Sequence, residues 1–597
     1  MRTPPAEIVS AIDIGGVTDA AAAPAAGLCD NSEMKTRRNE SCPCGSGKKF
    51  KKCCLNASKP GVRNGPTPER DPAFLAEAQA TLRQHKAAEN VRQQQQGHGN
   101  PIVSWMDETN GFRFVAVKTT VHWGKNWIIF PNFLDCFMKK TLGHEWGERD
   151  RSKGQHPLFR WLQKTQEYSR HKPGEPKLKT IVMMGFIACW LHLAYALYLI
   201  AHHDEIPKPL LKRLRNHVSF MPAYHEAVVG AALAVAGMEI SCAETKVGST
   251  PTPEFRAKSR ASGKIYEVEA KRKNGWKAPT SDVTNAEFQR ELEGYVRDQL
   301  YKASKKKLTN PLYWFELSIP TAMAEADWRA VAKKAEAAIR DAENSMTVDN
   351  QPIAPAYVVI TNHTFLANED VTGDPCFGFL QTINMDDYPF GRPMEIEAAL
   401  EGYDKHRDIF WLMEAWKTAR TVPTTFDGSP PELLDSDGKP QPTVAIGAMI
   451  EVPDMDGATV RARVEEISSW GGDKAMVAVA TDGRQWLVEM PLTPGEAQAA
   501  RRYTDAVFGK DNASRRLREE DPFDLYESLL KTHANMTQEQ VDKFFEQNPT
   551  VAHYKGLTLK EARVRVAREY TKWTWIRSQQ NRAADAQQSS PANESPS

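Results

Sequence analysis

Between Ile181 and Ala201 almost every position is apolar and none is charged, a run of about 21 residues that is long enough to cross a bilayer. Gly185, Cys189, Trp190 and His192 interrupt the run and no second run of this length follows, so it predicts a helix buried in a large core, not a membrane span. A second apolar, Ala-rich helix is predicted from His225 to Gly237, where glycine stops it. Before these, Phe112 to Trp127 is rich in β-formers and Phe133 to Lys140 could open a helix.

After them the pattern alternates. Phe255–Ser259 and Ile265–Lys271 read as a hairpin turning at Ala261-Ser262-Gly263, Asn285 to Ser304 as a helix, and Leu312–Ile319 as a strand. Met323–Asn344 reads as a helix and Tyr357–Thr361 as a strand. Strands alternating with helices predict a sheet covered by helices. Beyond a Pro-, Gly-, Asp- and Ser-rich linker, Val460, Ala462 and Val464 alternate with Thr459, Arg461 and Arg463, and Asp482-Gly483 signals a hairpin turn, so 444–494 is expected to be a small β-barrel. Thr537…Gln540 and Thr558…Glu561 are capping boxes opening helices.

A chain of 597 residues exceeds one hydrophobic core, so several units are expected. The pattern divides it into 1–37, disordered; 38–56, a cysteine-rich module; 57–100, linker and polar helix (Ala73 to Gln96); and 101–206, an α+β and helical preface. Then come 207–424, an α/β core with its extension; 425–443, linker; 444–494, the barrel; 495–583, helical; and 584–597, a disordered tail. Met34, followed at once by basic residues and the cysteines, is a candidate start, and the amino terminus lacks a charged start followed by an apolar run.

Formal net charge is +1, so no whole-molecule field draws in nucleic acid or anionic membrane, and such binding falls to local patches. Of nine cysteines, Cys42, Cys44, Cys53 and Cys54 cluster, and Cys29, Cys136, Cys189, Cys242 and Cys376 are scattered. That distribution points to a metal site in a reducing, cytoplasmic compartment and not to a disulfide framework. Gly45, Ser46 and Gly47 let the backbone turn so that both cysteine pairs reach one zinc. Four thiolates leave no open position, which makes the site structural. The segment Arg38 to Leu55 resembles the SEC-C motif, found at the carboxy terminus of the SecA translocation ATPase. The resemblance implies a docking module for an acidic protein or RNA, presented by Lys48, Lys49, Lys51 and Lys52 around Phe50; a solvated basic face accounts for the same run.

On the predicted hairpin, Glu267, Glu269 and Lys271 share one face of a strand, and the turn brings Glu254 opposite Glu269 or Lys271. Two carboxylates and a lysine suit phosphodiester hydrolysis, the carboxylates holding Mg²⁺ and the lysine stabilising charge on the attacking water or the transition state. Pro253-Glu254, then Glu269-Ala270-Lys271, between a helix before and a helix and strand after, resembles the PD-(D/E)xK, restriction-endonuclease-like nucleases. Members often carry an acid on the first helix, a place Glu226 occupies, and the usual aspartate is here Glu254, one methylene longer. The resemblance implies Mg²⁺-dependent cleavage of nucleic acid, with Glu254 and Glu269 on the metal, Lys271 assisting the water, and Glu226 supporting the metal or the groups around it. A Glu-x-Glu-x-Lys strand also makes a plain salt-bridged surface. The rival expectation is a non-catalytic adaptor, docking protein or RNA through the cysteine module and the barrel. His202-His203 with Asp204 could bind a metal or cap the apolar helix. Arg563, Arg565, Arg568 and Lys572 beside Tyr570, Trp573 and Trp575 could meet a nucleic-acid strand or simply pack.

Overall fold

The computed structural model describes residues 7–10, 81–89, 91–92, 96, 100–170, 179–242, 252–390, 393–435, 439, 441, 444–454, 456–470, 472–481, 483–503, 508 and 522–588. The chain divides into two compact units, residues 1–13 with 83–597, and residues 14–82. Of the second unit only residues 81 and 82 are described. The expected cysteine module at 38–56, with its four zinc ligands and four lysines, therefore lies outside the described residues, as do residues 589–597 of the tail expected to be disordered from 584, whereas 584–588 are helical.

The first unit is a mixture of helices and several sheets. β1 (Glu7–Ser10) falls in the stretch expected to be disordered. β2 (Val103–Asp107), β3 (Phe112–Val117) and β4 (Thr120–Lys125) form an antiparallel meander. Helices α1 (Phe130–Leu142), α2 (His144–Arg151) and α3 (Pro157–Ser169) follow. β5 (Lys179–Val182) then pairs antiparallel with β1, so the β1 backbone gains ladder partners.

The long apolar run is α4 (Gly185–His203), and every residue of it but Ala201 is buried. It is long and apolar enough to cross a membrane, yet its whole circumference is packed within this protein, as the core-helix expectation required. It starts at Gly185 because only glycine fits. A Cβ there would lie 2.5 Å from the Asn368 carbonyl oxygen and 2.8 Å from that of Glu369. The Glu369 carbonyl is fixed in turn by the Phe186 amide, 2.7 Å away. Gly185→Ala is therefore expected to destabilise the fold by about 1–3 kcal/mol, the usual cost of overpacking. Gly294→Ala, on a helix with open space at that position, should stabilise by up to about 1 kcal/mol. Urea midpoints of the two variants measure the contrast, and an unchanged midpoint for Gly185→Ala would contradict it.

After α5 (Lys208–Leu214) and α6 (Phe220–Val235), β6 (Met238–Cys242), β7 (Phe255–Ser259) and β8 (Ile265–Arg272) run as an antiparallel meander. α7 (Ala286–Ser304), capped by the Asn285 side chain, carries the chain to β9 (Pro311–Glu316), parallel to β8. α8 (Glu325–Ser345) and the two-residue strands β10 (Thr347–Val348) and β11 (Gln351–Pro352) precede β12 (Ala356–His363), parallel to β9. β13 (Cys376–Ile383) returns antiparallel and closes the order β13-β12-β9-β8-β7-β6. Every residue of β9 and β12 is buried, as strands covered on both faces must be. Phe288, Leu292 and Val296 of α7 and Val331, Ala335 and Ile339 of α8 share one core with Phe315, Val358 and Ile360 of the sheet. α6 packs against β6 and β8, and also meets α4 and the long α9 (Ile396–Ala419).

The expected barrel is an open sheet instead. β14 (Met449–Pro453), β15 (Thr459–Trp470), β16 (Lys474–Thr481) and β17 (Arg484–Pro491) pair only in sequence order, and no closed barrel occurs among the described residues. The strands and the Gly483 turn are those the alternation predicts, but closure also needs stagger between the first and last strands. A bulge between Val464 and Glu466 curls the sheet, and the Trp486 indole reaches the Pro453 carbonyl at 3.0 Å without a backbone ladder joining the edges. α10 (Pro494–Tyr503) adds Ala497 and Ala499 to that core. The last described helices are α11 (Pro522–His533), α12 (Gln538–Gln547) and α13 (Leu559–Gln588), with the Thr537 and Thr558 boxes formed.

Candidate functional site

The β7–β8 register sets Phe255 opposite Val268, so Glu254, one residue before β7, falls across from Glu269. The Glu254 amide donates to the Val268 carbonyl at 2.9 Å and fixes that placement. Lys271 stands two residues along β8 on the Glu269 face. Its Nζ lies 3.0 Å from Glu254 Oε1 and 2.7 Å from Glu269 Oε1. The hairpin thus brings together the three side chains that the sequence put on one face.

Glu269 is fully buried, whereas the Lys271 side chain is 35% and that of Glu254 25% exposed, so the cluster is open to solvent on one side. Lys271 approaches Glu269 Oε1 off the line a hydrogen bond needs, which leaves that buried oxygen without a hydrogen-bond partner. Lys306, just past α7, places Nζ 2.6 Å from Glu269 Oε2 and 3.0 Å from the Thr252 carbonyl. Burial pushes the Lys271 ammonium down, but the facing Glu254 and Glu269 carboxylates outweigh it and leave its pKa raised.

Glu226 projects from α6 and pairs with Arg213 of α5. Burial, and then the charge of Glu254, push its carboxyl up to about 7, against the pull of Arg213 and Lys271. Glu267 shares the strand face but not the cluster. It takes Arg256 Nε at 2.9 Å and the Thr309 amide at 2.8 Å. Lys306 and Arg213 were not foreseen, because nothing local in a Lys305-Lys306-Lys307 run marks which lysine turns inward.

A divalent cation needs oxygen ligands, and Mg²⁺ keeps several of its waters. Glu254 and Glu269 offer oxygens of that kind, and the Lys271 ammonium now lies between them in contact with both. No group of three or more His, Cys, Asp or Glu side chains is gathered to hold a metal among the described residues. A cavity of about 560 Å³ opens beyond the end of β8, lined by Arg160, Arg272, Lys273 and Trp276 among others, and does not include the carboxylates.

The other candidates are absorbed by structure. Both ring nitrogens of His202 are taken, by the Pro101 carbonyl and the Lys118 amide, and both of His203, by the Leu199 carbonyl and the Asn100 amide. Asp204 accepts from the Ile240 amide, so these three tie α4 to its neighbours and leave no imidazole lone pair for a metal. On α13, Arg565 and Lys572 pair with Glu397, and Arg568 with Asp404, both on α9. Arg563 donates to the Met536 carbonyl, and Trp573 stacks on Phe544 at 5.8 Å. That helix packs, and Arg565, Arg568 and Lys572 are already paired with carboxylates.

A second polar group, unforeseen from the sequence, is sealed inside the sheet. Glu316 Oε2 lies 2.7 Å from His363 Nδ1 and accepts from Thr361 Oγ1 at 2.8 Å. Glu316 Oε1 accepts from the Ser318 and His363 amides, each at 2.9 Å. Although burial opposes it, the His363 charge holds the Glu316 carboxyl down at about 2.

The family model of the SEC-C motif, a zinc-binding type of motif, matches residues 38–56. No curated protein matches the chain, and no solved structure matches it.

Proposed function

We propose that this protein hydrolyses phosphodiester bonds of nucleic acid with Mg²⁺, at Glu254, Glu269 and Lys271, and carries a structural zinc on Cys42, Cys44, Cys53 and Cys54. The observation that carries the first reading is the Lys271 ammonium held between the Glu254 and Glu269 carboxylates. The order helix, Glu254 ahead of β7, Glu269 and Lys271 on β8, crossover helix, parallel strand supports it, being the order the PD-(D/E)xK resemblance implies, with β6 an additional strand at the edge. Glu254 and Glu269 would hold the cation, which when bound polarises a phosphate and acidifies a water. Lys271 donates to the attacking water or to the phosphoryl oxygen on which charge grows. Lys306 holds the inner oxygen of Glu269 and so fixes that carboxylate's rotamer. Glu226, whose carboxyl titrates near neutrality, adjusts the local charge beside Glu254.

The test is cleavage of single- and double-stranded DNA and RNA by the purified chain with Mg²⁺ or Mn²⁺. Absence of cutting on all four, with no thermal shift on adding either cation, would favour the second reading, a non-catalytic adaptor docking protein or RNA. One observation favours that reading: each carboxylate already touches a cation, Glu226 with Arg213, Glu254 with Lys271, and Glu269 with Lys271 and Lys306.

The zinc reading rests on the motif match and four thiolates at a spacing that can close a tetrahedron. Elemental analysis is expected to give about one zinc per chain. Cys53→Ser with Cys54→Ser should release it without moving the unfolding midpoint of the sheet unit, since a segment this small folds only on its metal. Freshly purified protein free of zinc would refute the reading.

A further inference from the structure

The cavity of about 560 Å³ lies at the carboxyl ends of three adjacent parallel strands, where Arg272 of β8, Ser318 beyond β9 and Phe365 beyond β12 border it. Open α/β sheets take ligands at that end of their parallel strands. α3 supplies a further wall with Arg160 and Trp161, and α6 adds Met221. The space is far larger than a bare phosphate ion and has the size of a small-molecule pocket. Arg272 follows Lys271 on β8 and so projects to the opposite face, away from Glu254 and Glu269.

The ionisable groups in its walls are Arg160, Arg272, Lys273 and Glu369, three cations against one carboxylate. Lys273 is satisfied by Glu291 at 2.8 Å. Arg160 reaches Glu369 at 2.9 Å, but Lys164 at 2.8 Å and the Trp161 indole at 3.0 Å hold the same acid. The Arg160 side chain, 59% exposed, is therefore free to turn to a ligand without stranding Glu369. Arg272 has no carboxylate of its own among the described residues. The β8–β9 register sets it beside Glu316, whose oxygens are already taken by His363, Thr361 and Ser318. Its Nη2 donates to the Leu366 carbonyl at 3.2 Å, its Nη1 lies 3.5 Å from Asn274 Oδ1, and its Nε is buried with no hydrogen-bond partner. Burial pushes its pKa down against the pull of Glu316, as expected of a cation whose charge is incompletely met.

We propose that this cavity binds a phosphorylated small organic molecule, its phosphate on Arg272 and Arg160 and its organic body against Trp161 and Phe365. A guanidinium fork holds phosphate oxygens in pairs. Two such forks reaching in from different walls suit a tetrahedral group with three terminal oxygens better than a planar carboxylate with two. The apolar walls cover the body of the ligand and keep water from the ion pair. The site needs no Mg²⁺ and stands whether or not the chain cleaves nucleic acid.

The test uses the full-length chain without added divalent cation. Hydrogen exchange, read by mass spectrometry, is followed in the segments 272–280 and 365–369 as inorganic phosphate, AMP, adenosine or benzoate is added. Phosphate and AMP should both slow exchange there. AMP should bind at least about tenfold more tightly than phosphate, because its body buries apolar surface. It should also bind at least about tenfold more tightly than adenosine, which lacks the charged head. Arg272→Gln and Arg160→Gln should each raise the Kd for AMP by about tenfold or more, and Lys271→Ala should leave it unchanged. If Arg272→Gln does not fold, Arg160→Gln, at a largely exposed side chain, decides. Absence of protection by both phosphate and AMP would overturn the proposal, as would AMP binding that is lost in Lys271→Ala and kept in Arg160→Gln. Benzoate binding as tightly as AMP would refute the phosphate, and AMP binding no more tightly than phosphate would refute the organic body. A short single-stranded DNA with a terminal phosphate that binds more tightly than AMP would assign the site to a nucleic-acid end and overturn the free small molecule.

Discussion

Lys271→Ala is expected to lower Mg²⁺-dependent cleavage of nucleic acid by a factor of about 10² to 10³, the usual loss on removing one charged donor to a developing oxyanion. The fold should survive, because the Lys271 side chain is 35% exposed and alanine leaves no cavity in the core. Its removal leaves Glu269 with Lys306 as a counter-charge, so the buried carboxylate is not stranded. Metal binding should persist or tighten, since the ammonium now lying between Glu254 and Glu269 occupies the space a cation would take. Glu269→Gln should lose both activity and cation binding, because a neutral amide is a poor Mg²⁺ ligand. The two variants thus separate catalysis from binding by a measurement other than turnover, the thermal shift with Mg²⁺. Glu267→Gln is the control. It shares the strand face but is tied to Arg256 and Thr309, and should cut within a few-fold of wild type. Wild-type rates from Lys271→Ala would put any nuclease site elsewhere on the chain.

What was legible in the sequence is what short-range geometry determines. The hairpin, its turn and the shared face of Glu269 and Lys271 follow from a period of two and a Gly263 at φ 74°. The capping boxes are local in the same sense, three residues from donor to acceptor. Lys306 and Arg213 reach the carboxylates from separate elements, and no pattern within a helix or loop encodes which distant strand its end will face. The barrel failed for a related reason. Alternation specifies strands, whereas closure depends on the stagger of the first strand against the last. The sealed Glu316 group was invisible twice over. Its acid sits within the run Leu312–Ile319, where one carboxylate among apolar residues carries no mark of a partner, and its histidine lies 47 residues further along, just past the apolar run Tyr357–Thr361.

That sealed pair sets the second large expectation, a loss of about 3–5 kcal/mol in unfolding free energy for His363→Leu, the cost of breaking a buried ion pair from one side. Leucine replaces the ring with an apolar side chain of similar bulk, so most of the loss comes from the Glu316 carboxylate left without its imidazolium. The Thr361 hydroxyl and the Ser318 and His363 amides still donate to it, which keeps the loss toward the lower end. The effect must depend on pH, with a sign that each partner fixes. Glu316 is held down at about 2, so its contribution is complete above its unfolded value near 4.5 and is lost as pH falls toward 2. His363 is held up at about 10, so its contribution is complete below its unfolded value near 6.5 and is lost as pH rises toward 10. The pair therefore stabilises most between about pH 4.5 and 6.5. Without the imidazolium, Glu316 binds a proton more readily, and the gap between variant and wild type should narrow as pH falls below 4.5. Urea unfolding of both proteins at pH 3.5, 5.5 and 9 measures the difference. Thr361→Val, which removes one neutral donor to Glu316 and the acceptor of the Trp314 indole but keeps the ion pair, should cost about 1–3 kcal/mol, with no dependence on the charge of His363. Equal midpoints for His363→Leu and wild type at pH 5.5 would mean that the pair contributes nothing to the fold that encloses it.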